Sequence, residues 1–314
     1  MKPAVAVIDI GSNSIKLLVA ARAAGGGLEV LKTQTVDARI SAGISRAGPR
    51  LGEEGMSSGL EAIRSLLKEA GGFSPERIIL VATSAVRDAV NGPDFRERVR
   101  AATGHEIRIL AGEEEAGLIG RGLVCDAALG GLRDFYVFDL GGGSLECLAF
   151  RERRIRRAAS LQLGCVRLTE KFVADPAQPF SAAEQAAIAR HTREVLQSSA
   201  FAFDLGAAAV AAGTGGTLTV ARAILGLRAG QTLESSSPIV TVPELRALLD
   251  SIGTLGLAAR KKIPGLPAPR ADVMPAALAT LIAVAEAGGL KSYHHSFHNL
   301  RYGLADESLP RREP

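Results

Sequence analysis

The sequence predicts an α/β protein made of two domains that share one plan. The phrase VIDIGSNSI at residues 7–15 returns as VFDLGGGSL at residues 137–145, which is 130 positions later without a gap. Each copy has an apolar run, an aspartate, a polar turn with glycine and a second apolar run, the pattern of a β-hairpin. Strand-like and helix-like segments alternate along both halves, and 314 residues are enough for two domains.

The first half continues from its hairpin into alternating elements. The predicted strands are 4–10, 15–21, 28–35, 77–82 and 105–111, and the predicted helices lie near 56–70, 84–90, 93–102 and 113–124. A turn-like segment at 130–134 precedes the second hairpin, so we place the domain boundary near residue 127. The predicted domains are therefore 1–127 and 128–314.

The second half repeats the scheme. The predicted strands are 135–140, 145–150, 155–162 and 207–212, and the predicted helices are 166–173, 181–199, 215–226, 242–252 and 272–288. Ser181 followed by Glu184 has the spacing of a capping box at the start of a long helix. The charged residues from about 305 to 314 include prolines, and they predict a frayed tail.

Composition indicates a folded protein from a reducing compartment. Hydrophobic residues make up 47% of the chain, which is ample for two cores. No apolar run approaches the roughly 20 residues of a membrane span, and the N-terminal run is too short for a signal peptide. The three cysteines form no C-x-x-C motif, so we expect buried thiols, a cytoplasmic location and no membrane partner.

The charge balance suits a polyanionic ligand. The net charge is +4 and the pI is about 9.1, while no nucleic-acid-binding motif is visible, so we expect no nucleic-acid partner. The densest basic stretch has arginines at positions 151, 153, 154, 156 and 157. That stretch is either a solvated hairpin tip or a binding surface for a long anion.

The two hairpin turns are the first candidate binding elements. Both lack bulk, so their backbone amides can approach a phosphate closely. A single copy is as well explained by an ordinary glycine hairpin, but two gapless copies preceded by aspartate favour binding. The candidate residues are Gly11, Ser12, Asn13 and Ser14 in the first turn and Gly141, Gly142, Gly143 and Ser144 in the second.

The two copies differ in charge just after the turn. Glu146 follows the second turn, whereas the matching position in the first copy is Lys16. Strand periodicity puts Ser144 and Glu146 on one face, and Asp139 can reach the same side of a bound phosphate through Mg²⁺, which prefers oxygen ligands. Asp9 holds the matching aspartate position and is the third candidate metal ligand. We therefore interpret the repeat as an anion-holding wall and a metal-holding wall of one cleft.

Two strand-to-helix junctions are further candidates. The first is the run Gly213, Thr214, Gly215 and Gly216, where helix N-terminal amides favour an anion, although no lysine follows as in a Walker loop. The second is the junction at 83–88, where Arg87 is either a surface residue or a bidentate phosphate clamp.

Acidic and histidine clusters are further candidates for catalytic or metal sites. The run of three glutamates at 113–115 complements a helix dipole, but only Glu115 shares a helical face with Leu118 and Ile119. Glu115 is therefore the candidate that points inward and can activate water for attack on phosphorus. His294 and His298 have helical i,i+4 spacing, yet no acidic partner stands at ligand spacing.

These landmarks together resemble the exopolyphosphatase/guanosine pentaphosphate phosphohydrolase (Ppx/GppA) family of the actin-like, sugar-kinase-like superfamily. The similarity runs from residue 5 to about 304 and includes the segments 163–166 and 296–303 with Arg301. The resemblance implies two ribonuclease-H-like (actin-like ATPase) domains flanking a central cleft. It also implies hydrolysis of terminal phosphoanhydrides.

The resemblance also implies roles for individual residues. Glu115 matches the catalytic base, Asp139 and Glu146 match acidic residues that hold metal and orient water, and Arg87 matches a phosphate-contacting arginine. The implied cofactor is Mg²⁺, with a monovalent cation such as K⁺ as a second candidate, and the implied assembly is a homodimer. Two departures are Gly117, where the family commonly has arginine, and the end of the chain at residue 314, without the helical extension of longer members. That second departure puts processive handling of long chains in question.

The favoured function is that of an exopolyphosphatase, which releases phosphate from inorganic polyphosphate. The alternative substrate is the guanosine pentaphosphate pppGpp. Two further alternatives are a non-catalytic sensor of polyphosphate or (p)ppGpp, and an actin-like ATPase or sugar kinase.

Overall fold

The chain forms two compact units in the computed structural model, which describes residues 3–42, 49–206 and 209–310. The first unit is Met1–Gly130 with His298–Pro314, and the second is Gly131–Phe297. Each unit contains one mixed β-sheet with helices packed on it, so the predicted α/β class is confirmed.

The sheet of the first unit has five strands in the order β3-β2-β1-β4-β5. Strands β1, β4 and β5 are parallel, and β2 is antiparallel to both of its neighbours. β1 and β2 are buried along almost their whole length, as expected of central strands, while β3 exposes alternate residues at the edge. The bounds are β1 Ala4–Ile10, β2 Ile15–Arg22, β3 Leu28–Val36, β4 Arg77–Ala82 and β5 Ile107–Ile109.

Four helices follow these strands in the first part of the chain: α1 Glu53–Gly71, α2 Ser84–Asp88, α3 Gly92–Thr103 and α4 Gly112–Val124. Ile63 of α1 and Phe95 of α3 lie in one apolar core with Ile8 and Leu17 from the sheet. Burial of these large apolar side chains is the main force that holds α1 and α3 to the sheet.

The sheet of the second unit has six strands in the order β10-β11-β9-β6-β7-β8. Strands β6, β9 and β11 are parallel, and β7 runs antiparallel to β6 and β8. The bounds are β6 Phe135–Leu140, β7 Leu145–Arg151, β8 Arg154–Leu161, β9 Val210–Thr214, β10 Ile239–Thr241 and β11 Ser292–His295.

The helices of the second unit are α5 Cys165–Phe172, α6 Ala182–Ser198, α7 Gly216–Arg228, α8 Val242–Gly253, α9 Leu257–Arg260 and α10 Met274–Gly288. The capping box predicted at Ser181 and Glu184 is confirmed at the start of α6. α10 is buried on nearly every side, which explains its uniformly apolar sequence. Among the described residues, no helix combines the length and apolar character that a membrane span requires.

The two units repeat one plan, as the sequence repeat predicted. The strand order β3-β2-β1-β4-β5 of the first sheet corresponds to the order β8-β7-β6-β9-β11 in the second. The second sheet has one more strand, β10, at its edge. The registers also match, because Asp9 lies opposite Val81 of β4 and Asp139 lies opposite Thr214 of β9. The ribonuclease-H-like plan expected for each unit is therefore confirmed.

The chain end forms a helix rather than the frayed tail expected from about residue 305. Helix α11 (Leu300–Ser308) packs on α4 and on β1 in the first unit. Its buried Leu304 and the following Leu309 supply apolar contacts, and its Asp306 binds the guanidinium of Arg22 at 2.6 Å and that of Arg121 at 3.0 Å. The predicted second domain, 128–314, differs from the second unit for this reason, and residues 311–314 of the predicted tail lie outside the described residues.

Two short strands at the edge of the second sheet, β10 and β11, were not predicted. β10 and β11 have three and four residues, and β11 reads Ser-Tyr-His-His, so neither has the apolar alternation that predicts a strand. β9 begins at Val210 rather than 207, and residues 207–208 lie outside the described part of the chain.

Two glycines on α4 have opposite surroundings and provide a stability test. A methyl group at Gly122 would overlap the carbonyl of Asn299 at the start of α11, whereas one at Gly117 would meet nothing. We expect Gly122→Ala to lower the free energy of unfolding by about 1–3 kcal/mol through overpacking. Gly117→Ala should leave it unchanged or raise it by up to about 1 kcal/mol through helix propensity. Denaturant unfolding of the two variants checks this, and equal stabilities would contradict the close packing of α4 on α11.

Candidate functional site

Three loops of the first unit meet at one edge of its sheet. Because β1, β4 and β5 are parallel, the segments that follow them start at the same edge. The hydroxyl oxygens of Ser12 and Ser84 lie 3.4 Å apart, and the backbone N–H of Thr83 donates to the carbonyl of Ile10 at 3.4 Å. The structure thus brings the first predicted turn and the 83–88 junction together.

In the first hairpin turn the carbonyl groups accept hydrogen bonds from the protein, whereas most of the backbone N–H groups donate none within the described chain. The Gly11 N–H donates to the Ser14 carbonyl at 3.2 Å, and the Ser12 carbonyl accepts from the backbone N–H and the hydroxyl of Ser41. Within the described chain the N–H groups of Ser12, Asn13 and Ser14 donate to no carbonyl or side chain. Both polar atoms of the buried Asn13 side chain also have no partner among the described residues. Such a cluster of buried donors suits an anion.

Glu115 and Arg87 form a pair at the same edge. Glu115 lies in the first turn of α4 and is buried, as the helical face predicted. One amino group of Arg87 donates to Oε2 of Glu115 at 2.8 Å and to the Leu110 carbonyl at 3.1 Å, and its Nε donates to Asp88 at 3.3 Å. Arg87 therefore fixes the orientation of the Glu115 carboxylate.

Asp9 in the first hairpin has a carboxylate whose charge is disfavoured by burial. It lies directly across from Lys16, and its Oδ1 is buried with no hydrogen-bond partner in the described chain. Burial raises the pKa of the Asp9 carboxyl above its usual value, and the nearby Lys16 and Arg301 oppose that rise. An unpartnered, buried carboxylate oxygen fits the candidate role of a ligand for a cation.

Arg301 was noted in the sequence only as part of a resembling segment, but the structure gives it a position in the site. It is buried on α11, and its guanidinium donates to the Leu17 carbonyl at 2.9 Å. No local pattern could reveal this, because Arg301 reaches β2 from the far end of the chain.

The second hairpin turn is built like the first. The Gly141 N–H donates to the Ser144 carbonyl at 3.0 Å, and the start of α5 donates to the carbonyls of Gly141 and Gly142 at 2.9–3.2 Å. Nε of Arg167 binds the Gly143 carbonyl at 2.9 Å. The carbonyls of Gly141 and Gly142 are thus bound by α5. The N–H groups of Gly142, Gly143 and Ser144 donate to no acceptor among the residues described. The second turn therefore keeps the predicted ability to bind an anion.

The register of the second hairpin places two carboxylates face to face. Asp139 lies directly across from Glu146, and residues opposite each other in an antiparallel pair share one face, with Cβ atoms about 5 Å apart. Glu146 is buried and accepts a hydrogen bond from the Ser160 hydroxyl at 2.8 Å. Two carboxylates so close repel unless a cation or a proton lies between them. The donor set, oxygen only, fits Mg²⁺.

This pair has fewer protein ligands than a metal site built from side chains alone. Within the described ranges the structure contains no group of three or more histidine, cysteine, aspartate or glutamate side chains that could hold a metal ion. Mg²⁺ commonly keeps several waters and binds through one or two carboxylates plus substrate phosphates, so two facing carboxylates are enough for that ion.

The glycine run at 213–216 links β9 to α7 and carries orphaned hydroxyls. Gly215 has φ 88°, and a side chain there would overlap Oδ1 of Asp139, so glycine is required twice over. The hydroxyls of Thr214 and Thr217 are buried without a partner among the described residues. The run therefore lies against the carboxylate pair of its own unit.

Arg270 is a candidate that the sequence analysis missed. Its guanidinium lies against Gly216 at the N-terminus of α7, and its Nε is buried with no acceptor in the described chain. A cation at a helix N-terminus is opposed by the helix dipole, so this position favours an anion nearby. Its loop contains prolines and has no periodicity, so nothing in the sequence pointed to it.

The histidine pair with i,i+4 spacing does not share a helical face. His294 lies in β11, and His298 follows that strand, with Nδ1 3.5 Å from Oδ2 of Asp126. The neighbouring His295 is buried, and its ring nitrogens face the Thr219 hydroxyl at 3.0 Å and Arg222 at 3.3 Å. The helical spacing proposed for the pair is therefore wrong.

The cysteines are free thiols. Cys147 and Cys165 are buried, Cys125 is half-buried, and burial raises the pKa of all three. The expectation of buried or partly buried thiols is confirmed.

Each unit therefore gathers groups that can bind phosphate: backbone amides without acceptors among the described residues, with cationic side chains and carboxylates nearby. A sequence model of the Ppx/GppA phosphatase family matches residues 18–312. The chain belongs to that family and is a phosphoanhydride hydrolase.

Solved structures with the same fold span nearly the whole chain. The crystal structure of an exopolyphosphatase from Cytophaga hutchinsonii has a TM-score of 0.87 and 22% identity, and covers 98% of this chain and 99% of its own. The Aquifex aeolicus PPX-GPPA enzyme has a TM-score of 0.76 and 25% identity, with coverages of 98% and 99%. A second Aquifex aeolicus structure of a family member has a TM-score of 0.75 and 23% identity, with both coverages 97%.

The charge of the Asp9 carboxylate should lower the free energy of unfolding at neutral pH. Its folded-state pKa lies above the ordinary value of 3.8, so the stability linked to its protonation is fully present below that pH and is lost as the pH rises through the folded-state pKa. We expect Asp9→Asn to be more stable than the native protein at pH 7, with the difference closing toward pH 3.8. Thermal unfolding across this pH range measures it. Glu61→Gln, at an exposed carboxylate of α1, is the control and should be as stable as the native protein at pH 7. A native protein at least as stable as Asp9→Asn at pH 7 would refute the argument.

Proposed function

We propose that the protein is an exopolyphosphatase, which hydrolyses the terminal phosphoanhydride of inorganic polyphosphate. The observation that carries this proposal is the Glu115 carboxylate, buried in the first turn of α4 and oriented by Arg87 at 2.8 Å. It lies at the sheet edge where the first hairpin turn has amides without acceptors among the described residues. The family supports the same class of reaction.

The proposed reaction needs one proton transfer and one displacement. Glu115 accepts a proton from a water molecule whose oxygen attacks the terminal phosphorus. The bond between that phosphorus and the bridging oxygen breaks, and the bridging oxygen stays with the shortened chain. The products are inorganic phosphate, a polyphosphate shorter by one unit, and one proton, which Glu115 releases to solvent to regenerate its carboxylate.

Charge neutralisation is the second requirement, because phosphoryl transfer is catalysed mainly by positioning and by stabilising oxygen charge. We assign this role to the turn amides at 11–14 and 141–144, to the run at 213–216 and to Arg87. Arg270 adds a cation beside the run.

Mg²⁺ is the cofactor that the carboxylate pair would hold. Asp139 and Glu146 are the proposed ligands, and Asp9 is a third candidate with an unpartnered oxygen in its own unit. When bound, Mg²⁺ neutralises phosphoryl oxygens. A monovalent cation such as K⁺ is the alternative occupant of these oxygen ligands.

pppGpp is the second candidate substrate, since the family is named for both activities. Its terminal phosphoanhydride would be cleaved by the same residues. Phosphate release from polyphosphate, pppGpp and ATP, measured side by side, tests the choice, and a higher kcat/KM for pppGpp would overturn the polyphosphate assignment.

Replacing the proposed base tests the mechanism. We expect Glu115→Gln to keep the fold, because the amide oxygen still accepts from Arg87, and to lower kcat by about 10²–10⁴-fold. Phosphate release under saturating substrate measures the loss. Glu113→Gln, at an exposed carboxylate in the same helical turn, is the matched control and should keep native activity.

The outcome that would remove Glu115 from the mechanism is near-native turnover by Glu115→Gln. A double variant with Glu146→Gln adds information, because residues that serve one step lose activity non-additively. Fully additive losses would place the two carboxylates in separate steps.

The metal proposal is tested by binding. We expect Mg²⁺ to raise the melting temperature of the native protein and to raise it much less in Asp139→Asn or Glu146→Gln, because ligands that bind the folded state stabilise it. A scan of melting temperature against Mg²⁺ concentration, without substrate, measures this. The same scan on Glu194→Gln is the control, since Glu194 is exposed on α6 and its partner is Arg190. An equal Mg²⁺ effect in all four proteins would show that the pair holds no metal.

A further inference from the structure

The hairpin of β7 and β8 in the second unit ends in a basic pocket that the proposed chemistry does not use. The pocket has a volume of about 300 Å³ and is lined by Ala149, Arg151, Arg156, Arg157, Asp204 and Leu205. Three of these six residues are arginines, and one is acidic. The pocket therefore has an excess of positive charge.

A β-bulge produces this convergence. Ala149 pairs with Arg157 and the next residue, Phe150, pairs with Ile155, so Arg156 is the extra residue of the bulge. In a regular strand Arg156 would point to the face opposite Arg157. The bulge lets both arginines lie on the face of the small Ala149, which leaves room between them.

The arginines of the pocket are only partly neutralised. Arg157 lies 2.7 Å from Oδ2 of Asp204, and Arg151 donates to the Asp204 backbone carbonyl at 3.4 Å. Arg156 is exposed and has no carboxylate partner in the described part of the chain. Exposed Arg154, across from Arg151 at the tip, adds a further positive charge.

The first unit supplies an internal comparison. The same bulge occurs there between Val19 and Ala20, in the matching place of β2. Its extra residue on β3 is Leu31, where the second unit has Arg156. The fold therefore keeps the bulge in both units, while only the second unit uses it to gather arginines.

We propose that this pocket is a binding site for phosphate groups of a polyanion, separate from the hydrolytic site. This proposal rests on the proposed function. The ligand that fits the pocket is the part of an inorganic polyphosphate chain that lies far from the phosphoanhydride being cleaved. Guanidinium groups suit phosphate oxygens because they offer several N–H donors in a planar fork. The tip lies about 20 Å along β7 from the turn at 141–144, since a strand rises about 3.3 Å per residue. Only long chains span that distance, so the site confers a preference for long polyphosphate.

The test compares chain lengths in a double variant. We expect Arg151→Gln with Arg156→Gln to raise KM for long-chain polyphosphate by about fivefold or more, because two exposed charge contacts are lost. KM and kcat for tripolyphosphate should not change, since that substrate is too short to reach the tip. Arg190→Gln with Arg228→Gln, at exposed arginines on α6 and α7, removes the same charge and should behave as native. An unchanged KM for the long chain in the first variant would overturn the proposal.

A binding measurement separates this proposal from the proposed function. If the native protein releases no phosphate from any polyphosphate, the proposed function fails, and long-chain polyphosphate binding is then measured in EDTA. Binding that is weaker by about fivefold or more in Arg151→Gln with Arg156→Gln, and native in the control variant, supports the site. Equal binding by the native protein and both double variants refutes it. A single-stranded RNA oligomer is titrated in parallel. Loss of RNA binding with intact polyphosphate binding would refute the polyphosphate assignment.

Discussion

The antiparallel register of the two hairpins is the constraint on which both candidate sites depend. In each hairpin the four-residue turn fixes which side chains lie opposite each other, so Asp9 faces Lys16 and Asp139 faces Glu146. A shift of one residue would turn these side chains to the other face of the sheet. The parallel strands beside each hairpin then bring the next loops to the same edge. The two hairpins differ at this position by one side chain, so the aspartate faces a lysine in the first hairpin and a second carboxylate in the second.

The sites store unfavourable interactions that an ordinary core would avoid. Oδ1 of Asp9, the Asn13 amide and the hydroxyls of Thr214 and Thr217 are buried without partners among the described residues. Each unsatisfied polar group costs about 1–3 kcal/mol, and facing carboxylates add repulsion. The well-packed cores offset this cost, with long apolar strands in both sheets and an α10 that is buried on nearly all sides. A phosphate and a cation would satisfy the same groups, so the unbound cost becomes binding energy.

Local pattern was sufficient for the elements whose side chains face one core, and insufficient where distant segments meet. The strands of both hairpins, the helical face of Glu115 and the capping box at Ser181 all follow from periodicity and spacing. From about residue 305 the charged sequence predicts a tail, because the partners of Asp306, Arg22 and Arg121, lie far away in the chain. Arg270 was missed for a similar reason, since its contact with Gly216 joins segments more than fifty residues apart. Such contacts depend on tertiary packing and leave no periodic signal in the chain.

The turn between β7 and β8 differs in backbone conformation and in charge from its counterpart in the first unit. Its central residues Glu152 and Arg153 have φ of 53° and 58°, the left-handed region where a side chain costs roughly 1–2 kcal/mol and where Asn-Gly is the usual choice. The matching turn of the first unit, at 23–27, has glycine at its positive φ. A glycine turn is therefore compatible with this fold. The second unit instead has Glu152 and Arg153 in the left-handed conformation, which costs free energy. Hydrogen bonds to the preceding loop offset part of this cost, since the backbone N–H of Glu152 donates to Asp134 at 2.8 Å. Arg153, whose guanidinium donates to the Leu132 carbonyl at 2.8 Å, anchors the tip on which Arg151 and Arg154 are presented.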